Sequence, residues 1–157
     1  MTDEKNDIKT VVRNRKARHD YQVVSSMEAG IELMGCEVKS IRAGKVNVSD
    51  SYAMIDKGQI WLKNLHISPY ELASGESPDP IRPRRLLMHR REIVKLGIKT
   101  QQQGMTLVPL SIYVKGRNVK VELGLVIGRK KYDKRQAIAK AEADRRMKQA
   151  VKKNLDR

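Results

Sequence analysis

The His, Cys and acidic residues of this 157-residue sequence are the side chains that could perform acid–base, nucleophilic or metal chemistry. None of the histidines, His19, His66 and His89, has a spacing typical of metal ligands. His19 stands next to Asp20, but adjacent side chains point to opposite faces in a strand. Cys36 lacks a nucleophile motif and is expected to be a small buried residue. The sequence therefore predicts no enzyme, no metal site and no cofactor.

Clusters of Arg and Lys carry a more specific signal, because Arg can pair with two phosphate oxygens at once. One cluster lies in RNRKARHD, a second in RAGK around a Gly turn, and a third in RPRRLLMHRR. The candidate RNA contacts within them are Arg15, Lys16, Arg18, Arg42, Lys45, Arg84 and Arg85. Several such clusters on one small body predict a nucleic-acid-binding surface.

The overall charge narrows the class of partner. The formal net charge is +15, and the residues from 130 onward contribute +7 of it through 11 basic and 4 acidic side chains. Polyanions are therefore the favoured partners of both the body and the tail. Aromatic residues make up only 4% of the chain and Phe is absent, so a platform for stacking single-stranded bases is not expected. The composition favours recognition of a structured RNA by its shape and phosphates.

The last 28 residues, 130–157, are predicted to form a basic tail that is flexible or helical. Helix-favouring residues dominate it. Its apolar stripe is Ala139, Ala143, Met147, Val151 and Leu155, and alanine adds little buried area. The stripe therefore gives little reason to dock on the body, and we expect a frayed tail that folds against a polyanionic partner. A solvated surface helix is the alternative.

The pattern of apolar residues and turn residues outlines the elements of the body. It predicts a strand from Tyr21, a short helix over residues 36–44, a hairpin turning at Gly58, a loop over residues 72–85, a helix after Pro83 that includes Leu86 and Leu87, a linker over residues 101–104, and a second hairpin over residues 106–128. Such an order predicts a mainly β fold with flanking helices. The strands are expected to close into a small antiparallel barrel of the oligonucleotide-binding type, because closure removes exposed strand edges.

Three segments follow from this outline: a mobile N-terminus over residues 1–13, an RNA-binding barrel domain over residues 14–129, and the basic tail over residues 130–157. The N-terminus is charged and lacks the apolar core of a secretory signal. The single cysteine excludes an intramolecular disulfide. These features predict a soluble cytoplasmic protein that does not bind membranes.

Longer phrases surround the basic clusters, among them NRKARHDY, EAGIELMGCEVKSIRAGKVNVSDSYA, DPIRPRRLLMHRREI and LVPLSIYVKGRNVKVELGLVIGRKKYDKR. From about Asn14 to Arg135 the sequence resembles the small protein B (SmpB) family. The resemblance implies a bacterial ribosome-rescue factor that binds the tRNA-like domain of transfer-messenger RNA (tmRNA) and delivers it to stalled ribosomes in trans-translation. It also implies an antiparallel barrel with surrounding helices, and an indirect partnership with elongation factor Tu through the charged tmRNA.

The same resemblance assigns roles to individual residues. The RNA-contacting positions of the family fall on Glu28, Leu87 and Lys120. The tail motif YDKR resembles the segment that occupies the decoding centre of the small ribosomal subunit, and the residues after it would lie in the empty mRNA channel. The candidate ribosome contacts are Lys130, Lys131, Tyr132, Asp133, Lys134, Arg135, Lys140, Arg145, Arg146 and Val151.

Three other functions remain open on the residues alone. The first is a ribosomal or general RNA-binding protein, which would share the charge and the barrel but lack selectivity for a tRNA-like fold. The second is an RNA-processing enzyme that uses His19, Asp20 and His66. The third is a membrane-surface helix formed by the tail, which the lack of aromatic residues beyond Tyr132 disfavours.

Overall fold

A computed structural model of the protein describes residues 7–71, 75 and 77–155, without the side chains of residues 102–103, 130–137 and 153–155. Within these residues the chain forms nine strands and four helices. The strands are β1 (Ile8–Arg13), β2 (Tyr21–Ile31), β3 (Val46–Asn47), β4 (Tyr52–Asp56), β5 (Gln59–Lys63), β6 (His66–Ile67), β7 (Arg84–Leu87), β8 (Thr106–Lys115) and β9 (Asn118–Gly128). The helices are α1 (Arg15–Asp20), α2 (Gly35–Arg42), α3 (Arg90–Gln103) and α4 (Arg129–Leu155).

Seven of the strands form one antiparallel sheet in the order β1-β8-β4-β5-β7-β2-β9, and β8 also pairs with β9. The pairings from β8 through β4, β5, β7, β2 and β9 therefore return to β8 as a ring, and β1 pairs with the C-terminal half of β8. The short strands β3 and β6 pair separately. The predicted mainly β fold with flanking helices is confirmed.

The inward-facing side chains of the ring form the main core. Along β9, Val119, Val121, Leu123 and Leu125 are buried at every second position, whereas Lys120 and Glu122 between them are partly exposed. This alternation follows from the strand geometry, in which successive side chains point to opposite faces. The outer face of β9 is consequently free to carry charged residues.

The N-terminal segment differs from its prediction. Residues 8–13 form β1, which pairs with β8 from Ile8 opposite Lys115 to Arg13 opposite Ser111. The prediction of a mobile segment is wrong for these residues, and residues 1–6 lie outside the described part of the chain. The sequence pattern does not predict this edge strand, because its exposed polar side chains give no apolar alternation. Its stability comes from backbone hydrogen bonds to β8.

The region after Pro83 also differs from its prediction. Leu86 and Leu87 belong to strand β7 rather than to a helix, and α3 begins only at Arg90. The burial of Leu86 beside the exposure of Leu87 fits the two-residue period of a strand. Helix α3 then continues through residues 101–103, which the sequence analysis assigned to a linker, and ends before Gly104, whose φ of 63° is left-handed.

The basic tail is helical in the structure, as α4, where the sequence favours a frayed segment. The described side chains from 138 to 152 are all exposed, including Ile138, Met147 and Val151. The weak apolar stripe therefore leaves α4 undocked, as predicted, while the high helix propensity of its residues keeps the backbone regular. Among the described residues, no helix is both long and apolar enough to cross a bilayer.

Candidate RNA-binding surface

The residues Glu28, Leu87 and Lys120 come from three different strands and line a single groove. Gly30 of β2 pairs with Leu87 of β7 on one side and with Lys120 of β9 on the other. Glu28 lies two residues before Gly30, on the same face of β2. The open groove between these strands has a volume of about 550 Å³, and Arg85 also lines it. We call it the β2–β7–β9 groove.

Gly30 holds the centre of the β2–β7–β9 groove open. A Cβ atom added to Gly30 would lie 3.1 Å from Leu87 Cβ, closer than most real contacts. The missing side chain therefore lets Leu87 and Lys120 flank a flat strip of backbone that a ligand can approach. Sequence reasoning marked Gly30 only as a break or bend in the strand, and the strand register reveals its position between the other two residues.

A hydrogen bond from β8, on the far side of β9, holds the Glu28 carboxylate. The Tyr113 hydroxyl of β8 donates to Glu28 Oε2, and Lys115 Nζ lies 3.6 Å from Glu28 Oε1. The Tyr113 hydrogen bond, with smaller contributions from Lys115 and Lys120, outweighs partial burial and lowers the pKa of Glu28 below its ordinary value of 4.5. Burial, and then the bond to Glu28, raise the pKa of Tyr113. At neutral pH, Glu28 is thus an ionised acceptor and Tyr113 a neutral donor.

Leu87 is 48% exposed although it is a large apolar residue. A leucine in this sequence context is more often part of the core, and Leu86 beside it is buried. Leu87 instead faces the groove, where it offers apolar surface to the face of a base or sugar. The groove therefore combines an acceptor, a cation and an apolar patch within a short span of three strands.

Arg84 does not belong to this surface, which corrects its predicted RNA-binding role. Its guanidinium is fully buried; Nε donates to Glu37 Oε2 at 2.7 Å and Nη1 donates to the Leu65 carbonyl at 2.5 Å. Arg82 donates to the other Glu37 oxygen. Burial raises the pKa of Glu37, but the bonds from Arg82, the Met34 amide and Arg84 together hold that pKa below 4.5. This buried cluster anchors α2 to β7.

Arg85, next in the chain, points the other way. Its Nε donates to Glu32 Oε2 at 3.0 Å, and Nη1 lies 3.4 Å from Gln59 Oε1. Both side chains of the Arg85–Glu32 pair are substantially exposed, so the pair is weak and can rearrange around a ligand. Arg85 remains a candidate contact at the rim of the β2–β7–β9 groove.

The first basic cluster lies on α1. Asn14 caps this helix by accepting from the Ala17 amide at 3.0 Å, and its Nδ2 donates to the Pro109 carbonyl at 2.9 Å. The buried Asn14 thereby fixes α1 against β8, although the sequence offers no pattern that marks it. The cluster side chains Arg15, Lys16 and Arg18 are exposed.

One contact links α1 to the outer face of β9. Arg18 Nη2 lies 3.7 Å from Glu122 Oε1, and Glu122 stands opposite Glu28 in the register of β2 and β9. Lys16, in contrast, pairs with Asp50 at 3.1 Å. The α1 cluster therefore adjoins the same sheet face as the β2–β7–β9 groove.

The remaining predicted contacts lie elsewhere. Arg42 and Lys45 are exposed near the end of α2, and neither lines the groove; Lys45 Nζ lies 3.8 Å from Glu71. In the tail, Lys140, Arg145, Arg146 and Val151 are exposed on α4. The side chains of Lys130, Lys131, Tyr132, Asp133, Lys134 and Arg135 lie outside the described part of the structure.

The residues of the enzyme alternative do not converge. His19 and Asp20 do contact each other, with His19 Nδ1 2.9 Å from Asp20 Oδ1, and both lie at the end of α1 rather than in a strand. His66 is on β6 and shares no hydrogen bond with them among the described residues. Cys36 is half-buried rather than buried. No group of three or more metal-ligating side chains occurs in the part of the chain that the structure describes.

Comparison with known proteins identifies the family. The family model described as "SmpB protein" matches residues 11–153. The chain belongs to the SmpB family. The chain is 53% identical over 144 residues to an SsrA-binding protein of Carboxydothermus hydrogenoformans, covering 92% of this chain and 97% of that one. It is 50% identical over 157 residues to an SsrA-binding protein of Chloroflexus aggregans, covering 99% of both. The predicted resemblance is confirmed.

A solved structure agrees with this assignment. It is described as "tmRNA-SmpB: a journey to the center of the bacterial ribosome", and it is 50% identical in sequence to this chain. The superposition has a TM-score of 0.64 and covers 74% of this chain and 82% of the solved chain.

Proposed function

We propose that the chain binds the tRNA-like domain of tmRNA and delivers it to stalled ribosomes for trans-translation. The observation that best supports this is the β2–β7–β9 groove, which gathers Glu28, Leu87 and Lys120 from three strands. Membership of the SmpB family adds to it, since its relatives include SsrA-binding proteins and a tmRNA–SmpB structure.

Each groove residue supplies a different kind of contact. Lys120 attracts a phosphate, and Arg85 at the rim can do the same. The Glu28 carboxylate repels phosphate, so it accepts hydrogen bonds from base edges or sugar hydroxyls instead. Leu87 packs against the face of a base or sugar. Contacts to phosphates hold the RNA in register, whereas Glu28 and Leu87 distinguish its shape.

The exposed basic side chains outside the groove extend the contact. Arg18 on α1 contacts Glu122 on the outer face of β9, next to the groove, and Arg15 and Lys16 are exposed on the same helix. Arg42 and Lys45 provide a separate basic site at the end of α2. The tail, residues 130–157, occupies the decoding centre and the empty mRNA channel, where a helix with exposed cations such as Lys140 suits walls of rRNA phosphate. Elongation factor Tu takes part indirectly, through the charged tmRNA.

The fold serves this role as a rigid platform. In this proposal the ring of paired strands is a small closed antiparallel barrel of the oligonucleotide-binding type, and the RNA-binding domain of residues 14–129 is extended by the paired strand β1. The protein acts in the cytoplasm as an RNA adaptor and not as an enzyme.

A binding titration tests the proposal. The labelled tRNA-like fragment of tmRNA is titrated with the full chain at two salt concentrations, with elongator tRNA as competitor. We expect selective binding, with Lys120→Gln reducing the slope of log affinity against log salt by about 1, because one phosphate contact is lost. Leu87→Ala should weaken binding without changing that slope. Lys99→Gln, an exposed α3 residue outside the groove, is the matched control. Equal affinity for elongator tRNA would favour a general RNA-binding protein instead.

A further inference from the structure

The tail leaves the body without a connecting loop. Strand β9 ends at Gly128 and α4 begins at Arg129, the next residue. A Cβ atom at Gly128 would meet nothing within 4 Å, so no neighbouring side chain packs over Gly128, which ends β9 opposite Tyr21. The direction of α4 therefore depends on the contacts that hold its first turn.

Arg129 makes such a contact. Its Nε donates to the His19 carbonyl at 2.8 Å and its Nη2 donates to the Arg18 carbonyl at 2.9 Å. Both carbonyls lie in the last turn of α1, where helix carbonyls lack intrahelical partners and a positive charge is favoured. The planar guanidinium can serve the two carbonyls together, whereas the ammonium of a lysine is a point donor.

The other described side chains of α4, at residues 138–152, are exposed and form no hydrogen bond to the body. We propose that Arg129 is a positioning residue, whose two hydrogen bonds to the end of α1 set the direction in which the tail leaves the body. The consequence for the ribosome rests on the proposed function: the tail must point correctly to reach its site.

The same contact joins two basic surfaces. Helix α1 carries Arg15, Lys16 and Arg18 on its exposed side, and its terminal carbonyls receive Arg129. Among the described side chains of α4, Arg129 thus joins the start of the tail to the basic helix α1. Breaking the contact should free α4 to pivot at Gly128 while leaving the β2–β7–β9 groove unchanged.

A distance measurement tests this directly. The full chain carries spin labels at Lys99→Cys on α3 and Gln149→Cys on α4, in a Cys36→Ser background, and the distance distribution is recorded by pulsed electron paramagnetic resonance. We expect a narrow distribution for the parent, and a broad or displaced one for Arg129→Gln and also for Arg129→Lys. Arg117→Gln removes one exposed positive charge from the β8–β9 turn and should leave the distribution narrow. Circular dichroism verifies that α4 stays helical in every variant.

The outcomes separate the two proposals. A broad distribution in the parent, or a narrow and unshifted one in Arg129→Gln, overturns the positioning role. A narrow distribution in Arg129→Lys would show that charge alone suffices, which also overturns it. In unlabelled protein, Arg129→Gln should bind the tRNA-like fragment as the parent does, while peptide tagging on stalled ribosomes falls by on the order of tenfold or more, because displacement of a distant group is costly. A parent that neither binds nor tags contradicts the proposed function, whereas the distance result still decides the role of Arg129.

Discussion

The fully buried Arg84 guanidinium depends on Glu37 for its compensating charge. Replacing Glu37 by Gln leaves that guanidinium buried without an anion, and we expect the free energy of unfolding at pH 7 to fall by about 3–5 kcal/mol. Urea denaturation measures it. The matched control is Glu32→Gln at the exposed Arg85 pair, where a change of about 1 kcal/mol or less is expected. Equal losses in the two variants would contradict the role of burial.

The same carboxylate predicts a pH dependence. Glu37 has a folded-state pKa below its ordinary value of 4.5, so its contribution to stability is complete above about that pH. It is lost as the pH falls through the lowered folded-state pKa, because the carboxylate is then protonated in both states. The stability difference between the parent and Glu37→Gln should therefore shrink at acidic pH. A difference that stays constant down to the acid unfolding transition would contradict this.

The hydrogen bond from Tyr113 lowers the pKa of Glu28 in the groove. Its hydroxyl is the largest cause of the lowered pKa of Glu28, so Tyr113→Phe should raise that pKa toward 4.5. Carboxyl chemical shifts followed by NMR through an acid titration measure the change. Tyr70→Phe is a control because Tyr70 lies over Lys39 on α2 and does not contact Glu28. An unchanged pKa in Tyr113→Phe would mean that Lys115 and Lys120 suffice.

At the scale of elements, Gly124 of β9 leaves room for the Leu110 side chain of β8. A Cβ atom there would lie 2.7 Å from Leu110 Cγ, and Leu110 is buried in the smaller core cluster. Gly124→Ala should destabilise the protein by about 1–3 kcal/mol through overpacking. Combining it with Leu110→Ala should lower the free energy of unfolding by less than the sum of the two separate losses, because the cavity accepts the new methyl group.

A glycine with room for a methyl group should behave in the opposite way. Gly97→Ala, in an α3 position with ordinary contact distances, should stabilise the protein by roughly 0.5–1 kcal/mol.

The elements differ in how far the sequence predicts them. The hairpin of β4 and β5 is local: alternating residues flank Gly58, whose φ of 76° a glycine adopts without strain. Strand β1 and the end of α3 escape pattern reading because pairing and capping stabilise them rather than an apolar stripe. The Arg84–Glu37 pair spans 47 positions, so adjacent arginines look equivalent until the fold places one inside. The groove residues Glu28, Leu87 and Lys120 were predicted from the family resemblance and not from the residue pattern. Only the strand register shows that they surround Gly30.

At the scale of the whole molecule, positive charge is divided between a folded body and an exposed helix. The tail from residue 130 carries +7 of the net +15, and the body retains the remaining +8. Both parts attract RNA through the same screened electrostatics. The two parts differ in shape. The body presents a groove with an acceptor and an apolar patch, whereas the described side chains of α4 beyond residue 137 are exposed on all sides of the helix. On the proposed function, we therefore expect the body to select the RNA and the tail to extend into the ribosome.

This division predicts the behaviour of a chain that ends at Arg129 and so keeps the contact with α1. The described side chains at 138–152 do not pack on the body, so the free energy of unfolding should change by no more than about 0.5 kcal/mol, while the helical signal in circular dichroism falls. The shortened chain should still select the tRNA-like fragment over elongator tRNA, because the β2–β7–β9 groove is intact, but it should fail to support tagging on stalled ribosomes. Loss of fragment selectivity in a shortened chain of unchanged stability would place recognition in the tail, against the geometry of the groove.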